Sequence, residues 1–227
     1  FDGIYQVDDF YTSAATGKLI LKPGITNNTR YDGGAAPGVV KYKDQNGDGK
    51  ITTADRTVIG NAMPKWFGGI TNSFSFKGID FSFMLQYSYG NDVFNATRQF
   101  ATGSQDQRYN MLAEVADRWS PTNASNKVPS TKGYVKGDVY SRFVEDGSFL
   151  RLKNMTLGYS LPKKWINKIH ISKLRIYGTT QNLFCISGYS GYDPEVSTAA
   201  SNPMTPGLDW GAYPKSRVFT FGLDVQF

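Results

Sequence analysis

The sequence has few of the residues on which most small enzymes and metalloproteins depend. One cysteine and one histidine occur in 227 residues. One cysteine forms no disulfide within the chain and no cysteine-rich zinc site, and His170 alone makes a Ser-His-Asp hydrolase improbable. Asp193 and Glu195 are a close carboxylate pair, but they flank Pro194 in a loop with no evident nucleophile. We therefore expect a protein that is not an enzyme.

The chain also lacks a long apolar run and a concentrated charge. No segment approaches the roughly 18 to 20 consecutive apolar residues of a membrane-spanning helix, although the strands of a transmembrane β-barrel would show none. Charged residues make up 19% of the chain and the net charge is +6, with Lys and Arg scattered along it, so no nucleic-acid partner is expected. The first residues show no targeting signal, which predicts either a processed chain or the tail of a longer one.

Aromatic residues, by contrast, are abundant at 15%, which excludes a disordered chain. They fall largely in segments where apolar and polar residues alternate, the pattern of a strand with one apolar face. The alternating segments are 79–89, 148–161, 173–186 and 216–227, with Phe74 and Phe76 preceding a Lys77-Gly78 turn. An all-β fold of antiparallel strands is therefore predicted.

The connections between these strands alternate between short and very long. Residues 1–63 form one predicted region, rich in loops, and residues 64–227 form a second, with strands and with long loops at 90–147 and 187–215. The helical spacing of apolar residues in 109–119 predicts one short loop helix. Tight turns at one end and long loops at the other are typical of outer-membrane barrels, whose long loops are extracellular. A secreted, calcium-binding β-sandwich, such as a carbohydrate-binding module, stays open as the alternative because its strands alternate in the same way.

In the barrel interpretation the polar side of each strand faces a wet lumen and the apolar side faces the lipid bilayer. The last strand illustrates this, because four apolar residues alternate with small or polar ones before the chain reaches Phe227. The side chains predicted to face the lumen are Asp80, Ser82, Gln86, Thr220, Asp224 and Gln226.

Residues 44–55 match the twelve-position calcium loop. Calcium takes six to eight oxygen ligands around a tight turn, which Gly49 permits at position 6. The predicted ligands are the side chains of Asp44, Asn46, Asp48, Thr52 and Asp55 and the backbone carbonyl of Lys50. Asp55 stands where Glu is usual, and no amphipathic helix flanks the loop. We expect a structural Ca²⁺; the alternative is a turn whose acidic residues are solvated or cap a helical turn at 53–55.

Several segments together resemble the C-terminal portion of SusC-like (RagA-like) TonB-dependent outer-membrane transporters. The resemblance covers most of residues 37–227. It lies in the segments Pro37–Asp44, Asp55–Gly60, Pro64–Gly69, Val144–Asn154, Leu157–Tyr159, Gln181–Phe184, Gly191–Glu195 and Asp209–Pro214.

The resemblance implies the last strands of a 22-stranded barrel in the outer membrane of a Gram-negative bacterium of the Bacteroidetes type. It also implies uptake of oligosaccharides or peptides, a SusD-like surface lipoprotein as partner, and energy from TonB through an N-terminal part that this sequence does not contain. Candidate contacts of the loops with substrate or lipoprotein are Trp119, Tyr134, Tyr189, Tyr192, Trp210 and Tyr213, and ordinary packing within the loops is the alternative for each.

Overall fold

The computed structural model describes residues 1–103, 109–135, 137–166, 170–198 and 204–227. Strands are the main regular elements of the described residues, which also contain two short α-helices. In chain order the elements are β1 (Gly3–Ile4), β2 (Phe10–Thr12), β3 (Leu19–Leu21), β4 (Val40–Lys41), β5 (Trp66–Phe76), β6 (Ile79–Tyr89), β7 (Asp92–Asn95), α1 (Ala96–Gly103), β8 (Val144–Asp146), β9 (Phe149–Ser160), α2 (Lys163–Ile166), β10 (Lys173–Ser187), β11 (Leu208–Asp209) and β12 (Val218–Gln226). Short 3-10 helices lie at Val7–Asp9, Thr53–Asp55, Ala113–Asp117 and Ser141–Phe143. Within these ranges, no helix combines the length and the apolar character that a membrane span requires.

Two compact units make up the chain. One contains Phe1–Gly60 and Phe94–Val144, and the other contains Asn61–Val93 and Glu145–Phe227. The predicted boundary near residue 63 is close to the first division between the two units, which falls after Gly60. Residues 94–144, however, were predicted to belong to the strand region. They group with the first unit because Tyr140 and Phe143 share a buried cluster with Val40.

The second unit is built on a five-stranded antiparallel sheet in the order β12-β10-β9-β6-β5. Each of the four long strands predicted from alternation is present, which confirms the all-β prediction. The β5–β6 hairpin turns through Lys77 and Gly78, whose φ angles are 49° and 85°. Two positive φ angles are the mark of a type I′ turn, whose twist matches that of the paired strands.

The register of the sheet separates a polar face from an apolar face. Ser82 of β6 is aligned with Thr156, Thr156 with Thr179, and Thr179 with Thr220 of β12. On the opposite face Phe74, Phe81 and Phe83 form a cluster with ring centroids 5.7–6.4 Å apart. Phe221 of the same face is 85% exposed. Apolar side chains exposed in such number mark a surface that meets lipid or another protein.

The first unit has short strands and small apolar clusters. β1 pairs with β4, and β2 pairs with β3. Tyr5, Phe10 and Val39 form one buried cluster, and Val40, Tyr140 and Phe143 form another. The long loops of this unit depend on such clusters for their stability, because little backbone hydrogen bonding links the loops to one another.

The short loop helix was expected at 109–119, and this prediction is wrong. The α-helix lies upstream at α1, where Asn95 Oδ1 accepts a 2.8 Å hydrogen bond from the Arg98 N–H as an N-cap does. Within 109–119 the structure has only the 3-10 helix at Ala113–Asp117. The helix cannot reach Trp119, because Arg118 is extended and the Trp119 N–H donates to the Val128 carbonyl at 2.8 Å.

Candidate functional site

The six side chains predicted to face a lumen share the polar face of the five-stranded sheet. Asp80, Ser82 and Gln86 alternate along β6, while Thr220, Asp224 and Gln226 alternate along β12. Strands β9 and β10 lie between these two, and Thr156 and Thr179 hydrogen-bond across them at 3.0 Å. The face is therefore a continuous polar surface that crosses the sheet.

Arg175 of β10 organises one part of this polar face, a role that no local pattern in the sequence predicts. Its Nε and Nη2 donate to the two carboxylate oxygens of Asp80 at 2.9 and 2.5 Å, and its Nη1 donates to Asp224 at 3.3 Å. A Cβ at Gly158 would lie 2.6 Å from this ion pair, so the glycine leaves the space that the pair fills. The ion pairs of Arg175 with Asp80 and Asp224 thus connect strands β6, β10 and β12, and the two carboxylates are not free acidic groups. Strand pairing was the missing information, because Arg175 is 95 residues from Asp80.

A second ion network fixes the loop after β10 to β9. Arg151 Nη2 donates to Asp193 Oδ1 at 2.5 Å, and the two residues are 3% and 5% exposed. Asp193 also accepts the backbone N–H groups of Glu195 and Lys215. Glu195 pairs in turn with the Lys215 ammonium at 2.5 Å. The Asp193 and Glu195 carboxylate pair around Pro194 thus anchors the loop through Arg151.

Beside this network is a cavity of 640 Å³ within the second unit. It is lined by Gln86 and Met84 of β6, by Lys153 of β9 and by Glu195. Lys153 Nζ donates to Gln86 Oε1 at 2.9 Å. The polar face is therefore concave here, with donors and acceptors on its walls.

The loop at 44–55 folds around its own acidic side chains. Asp44 Oδ1 and Oδ2 accept the N–H groups of Gly47 and Gly49 at 2.7 and 2.8 Å. Asp48 Oδ1 accepts the Lys50 N–H at 2.8 Å, and Asn46 Oδ1 accepts the Asp48 N–H at 2.9 Å. Gly47 and Gly49 have φ angles of 78° and 79°, which side chains rarely adopt. The spacing of acidic and glycine residues thus specifies a tight turn.

Asp55 closes the same loop. Its Oδ1 accepts the Gln45 N–H at 2.9 Å, and its Oδ2 accepts the Thr52 N–H at 2.7 Å. Because Thr52 Oγ1 accepts the Ala54 N–H, Thr52 and Asp55 form a capping box around the 3-10 helix at 53–55. The cap that the sequence left open as an alternative is therefore present.

The oxygen atoms of this loop are of the kind that binds a cation, although the structure does not group them as a metal-binding cluster. Within the described ranges, no three Asp, Glu, His or Cys side chains are grouped to hold a metal ion. Asp44 and Asp48 each use their oxygens to accept backbone N–H groups, and a carboxylate oxygen has a second lone pair for another partner. Ile51, at position 8, is 2% exposed and anchors the loop.

Acidification is expected to open this loop. The N–H groups of Thr52 and then Gln45 hold the pKa of Asp55 below its ordinary value. A carboxyl group whose pKa is lowered by folding stabilises the fold above its unfolded pKa, and the contribution is lost as the pH falls through the folded pKa. Hydrogen exchange of the 44–56 peptide should therefore accelerate, relative to intrinsic rates, only below about pH 4. In the Asp55→Asn variant, whose side chain does not ionise, this acceleration of exchange at low pH should be absent. An acceleration identical to that of the unaltered protein would contradict the role of Asp55.

The candidate loop aromatics divide into packed and exposed residues. Trp119 is 8% exposed and donates from Nε1 to Gln6 at 2.9 Å, and Tyr189 is 8% exposed and donates to Asp209 at 2.6 Å. Tyr134 packs against the Val40 cluster. These three are placed as the packing alternative requires. The exposed residues are Tyr192, Trp210 and Tyr213, at 82%, 56% and 90%.

Curated relatives match the chain in sequence, whereas no family model matches it. It is 34% identical to the TonB-dependent receptor P3 of Formosa agariphila, over 100% of this chain and 21% of that receptor. It is 37% identical to the receptor P26 of the same organism, over 84% of the chain and 20% of that receptor. The TonB-dependent receptor SusC of Bacteroides thetaiotaomicron is 32% identical over 87% of the chain and 18% of its own length.

Solved structures agree in fold. The RagAB peptide transporter matches with a TM-score of 0.67 at 24% identity, over 96% of this chain and 22% of that one. The open-open state of the RagAB peptide importer matches with a TM-score of 0.66 at 22% identity. The strands with a polar and an apolar face are thus those of an outer-membrane barrel, which excludes the β-sandwich alternative.

The chain belongs to the family of SusC-like TonB-dependent receptors, consistent with a C-terminal portion of the barrel. It spans about a fifth of the length of the curated relatives that it matches. Such receptors are outer-membrane proteins of Bacteroidetes and are not enzymes, in agreement with both predictions.

Proposed function

We propose that the receptor to which this chain belongs takes up oligosaccharides or peptides across the outer membrane. The observation that carries the proposal is identity of 34% with a TonB-dependent receptor over the whole chain. SusC and the RagAB peptide importer, both similar to this chain, support a SusD-like surface lipoprotein as its partner and TonB as the source of energy.

Within that function, the polar face of the five-stranded sheet lines the pore, and the apolar face contacts lipid. The polar face supplies hydroxyl, amide and carboxylate groups, and the Phe74 cluster supplies an apolar surface. The exposed rings of Tyr192, Trp210 and Tyr213 are suited to contact substrate or lipoprotein because they are large and amphipathic.

The test is uptake by cells that contain the full-length receptor. A strain in which its gene is deleted should lose growth on one class of nutrient, oligosaccharide or peptide, when that class is the sole carbon source. Purification of the receptor in mild detergent should also yield a surface lipoprotein. Unchanged growth of the deletion strain on both classes would contradict the proposal.

We also propose that the loop at 44–55 binds a structural Ca²⁺. The support is the spacing of oxygen side chains together with the two positive-φ glycines that turn the loop. Asp44, Asn46, Asp48 and Asp55 would supply side-chain oxygens, and Lys50 its carbonyl. Such an ion would cross-link the loop, which offers few apolar contacts besides Ile51.

Removing the first ligand is expected to weaken calcium binding at this loop. In isothermal titration of the full-length receptor with CaCl₂, Asp44→Ala should bind the ion at least about tenfold more weakly, because a charged oxygen ligand is lost. Asp8→Ala, which removes an exposed acidic residue elsewhere in the first unit, is the matched control and should titrate unchanged. The absence of any calcium-dependent heat in the unaltered receptor would refute the site.

A further inference from the structure

Exposed positive charge is grouped at the short-connection end of the five-stranded sheet, where β5 turns into β6 and β9 connects to β10. The hairpin turn brings Lys77 to this end, and the other connection brings Lys163 and Lys164, the first two residues of α2. The two connections lie side by side, because the Ser160 N–H donates to the Gly78 carbonyl at 2.7 Å. All three lysines are exposed to solvent. We call these three lysines the basic rim.

The acidic residues of the second unit do not balance the basic rim. Outside the five strands of the sheet they all lie in the connections at its opposite end, at Asp92, Glu145, Asp146, Asp193, Glu195 and Asp209. Within the strands, Asp80 and Asp224 are paired with Arg175. In the part of the chain that the structure describes, no carboxylate forms an ion pair with a lysine of the basic rim. The three ammonium groups are therefore available to an external anion.

The basic rim borders the apolar face of the sheet. Phe76 is aligned with Ile79 across the hairpin, and both lie on the face of the Phe74 cluster. The Lys77 ammonium lies over the Phe76 ring, 5.1 Å from its centroid. This cation is therefore held at the edge of the apolar surface. Lysine side chains in such positions lay their aliphatic stem on the apolar surface and keep the charge at its border.

Large exposed rings accompany the same lysines. Trp165 follows Lys164 in α2 and is 58% exposed, although its neighbour Ile166 is 3% exposed and holds α2 against the fold. Tyr159 of β9 is aligned with Ile79 of the apolar face and is 37% exposed. Tryptophan and tyrosine concentrate at the level of lipid headgroups, because each ring is apolar in its body and polar at one end. Both rings are thus suited to the level at which the apolar face ends.

The partner of the basic rim must combine an anion with an apolar part. A free phosphate has no apolar part, and an acidic protein would have to replace the lipid on the apolar face. A zwitterionic headgroup carries a cation of its own, which the lysines repel. An anionic glycerophospholipid meets both requirements, because its phosphodiester pairs with the ammonium groups while its acyl chains cover the Phe76 ring and the Phe74 cluster.

We infer that the basic rim binds the headgroup of an anionic glycerophospholipid in the leaflet at the short-connection end of the sheet. The inference goes beyond nutrient uptake. It rests on one part of the proposed function, the contact of the apolar face with lipid.

The test replaces the three lysines with neutral side chains. Full-length receptor in detergent, unaltered and as Lys77→Gln/Lys163→Gln/Lys164→Gln, is mixed with equal amounts of phosphatidylglycerol and phosphatidylcholine that have the same acyl chains. Native mass spectrometry counts the lipids that stay bound. The unaltered receptor should retain phosphatidylglycerol preferentially. The triple variant should bind phosphatidylglycerol at least about tenfold more weakly, because three cations that attract the phosphodiester are lost.

Lys173→Gln is the matched control. Lys173 is an exposed lysine at the same end of the sheet, but it lies on the polar face because it alternates with Arg175 along β10. This control should retain phosphatidylglycerol as the unaltered receptor does. The triple variant should also unfold at the temperature of the unaltered receptor in lipid-free detergent, because exposed lysines outside ion pairs contribute little to stability. Unchanged unfolding would separate lost lipid binding from misfolding.

Four results would overturn the inference. They are full binding of phosphatidylglycerol by the triple variant, an equal loss in Lys173→Gln, a lower unfolding temperature of the triple variant, and displacement of the lipid by inorganic phosphate at matched ionic strength. An acidic protein that co-purifies with the unaltered receptor in place of the lipid, and not with the triple variant, would assign the basic rim to that protein and likewise overturn it.

The same experiment separates the basic rim from the lipid contact on which it rests. If the unaltered receptor binds the two lipids equally well, the basic rim is refuted and the contact of the apolar face with lipid stands. If the unaltered receptor retains neither lipid, the assignment of the apolar face to lipid fails as well.

Discussion

Replacing Arg151 with methionine is expected to destabilise the folded receptor by about 3–5 kcal/mol, because the change leaves the Asp193 carboxylate buried without its cation. Arg151 and Asp193 are 3% and 5% exposed, and Arg151 Nη2 lies 2.5 Å from Asp193 Oδ1. Asp193 would keep the N–H groups of Glu195 and Lys215, which do not neutralise its charge. The loop after β10 should therefore detach from β9 before the sheet unfolds.

Two measurements check this expectation in the full-length receptor. Urea unfolding in lipid vesicles reports overall stability, and limited proteolysis reports release of the loop around Asp193. Lys153→Met is the matched control, because Lys153 lies two residues away on β9, has a side chain 32% exposed and pairs with Glu195 only at 3.8 Å; surface pairs of this kind contribute about 0–1 kcal/mol.

Adding Asp193→Asn to Arg151→Met should recover part of the loss. The amide keeps an oxygen to accept a backbone N–H but carries no buried charge. A double variant no more stable than Arg151→Met would show that packing of the arginine, and not its charge, holds the loop. An Arg151→Met receptor as stable as the Lys153→Met control would refute the anchor altogether.

Gly133→Ala is expected to be the most damaging small substitution in the first unit, at about 3 kcal/mol, the upper end of the range for overpacking. A Cβ at this position would lie 2.0 Å from the Gly38 carbonyl oxygen. That oxygen cannot move aside easily, because it accepts the Ser130 N–H at 2.9 Å, and the Gly133 carbonyl itself accepts the Val40 N–H at 2.9 Å.

The matched control is Gly188→Ala, because no atom lies within 4 Å of a Cβ at Gly188. Hydrogen exchange of the intact receptor should show faster exchange in peptides from 1–60 and 126–135 for Gly133→Ala, and no change for Gly188→Ala. Equal exchange in both variants would mean that the contact between Gly38 and Gly133 relaxes at little cost.

The sheet could be predicted from the sequence because alternation is a local signal. The predicted segment 79–89 coincides with β6, and the predicted 173–186 differs from β10 by one residue at its end. Which residues meet across strands could not be predicted, since pairing brings together residues distant in sequence. Arg175 reaching Asp80 and Asp224 is the main example, and Arg151 reaching Asp193 is another.

The predictions for the loops were less complete than those for the sheet. The acidic and glycine spacing at 44–55 specifies its own hydrogen bonds, so the turn followed from the sequence. Trp119 and Tyr189, by contrast, look like exposed ligands in the sequence but are packed by hydrogen bonds to Gln6 and Asp209. Burial of a loop aromatic depends on distant partners, which composition does not reveal.

The turn at Lys77 and Gly78 has a consequence for how the chain can change in length. Successive residues of a strand point to opposite faces, so inserting one residue into a tightly paired hairpin turns the rest of the strand over. In β6 such an insertion would direct Asp80 and Gln86 outward and Phe81 inward, and a Cβ at Gly78 would already lie 2.7 Å from the Ser160 carbonyl. An insertion in a long connection does not reverse the direction in which the side chains of the next strand point. The long connections can therefore vary in length, while the hairpin determines which face of the sheet is polar.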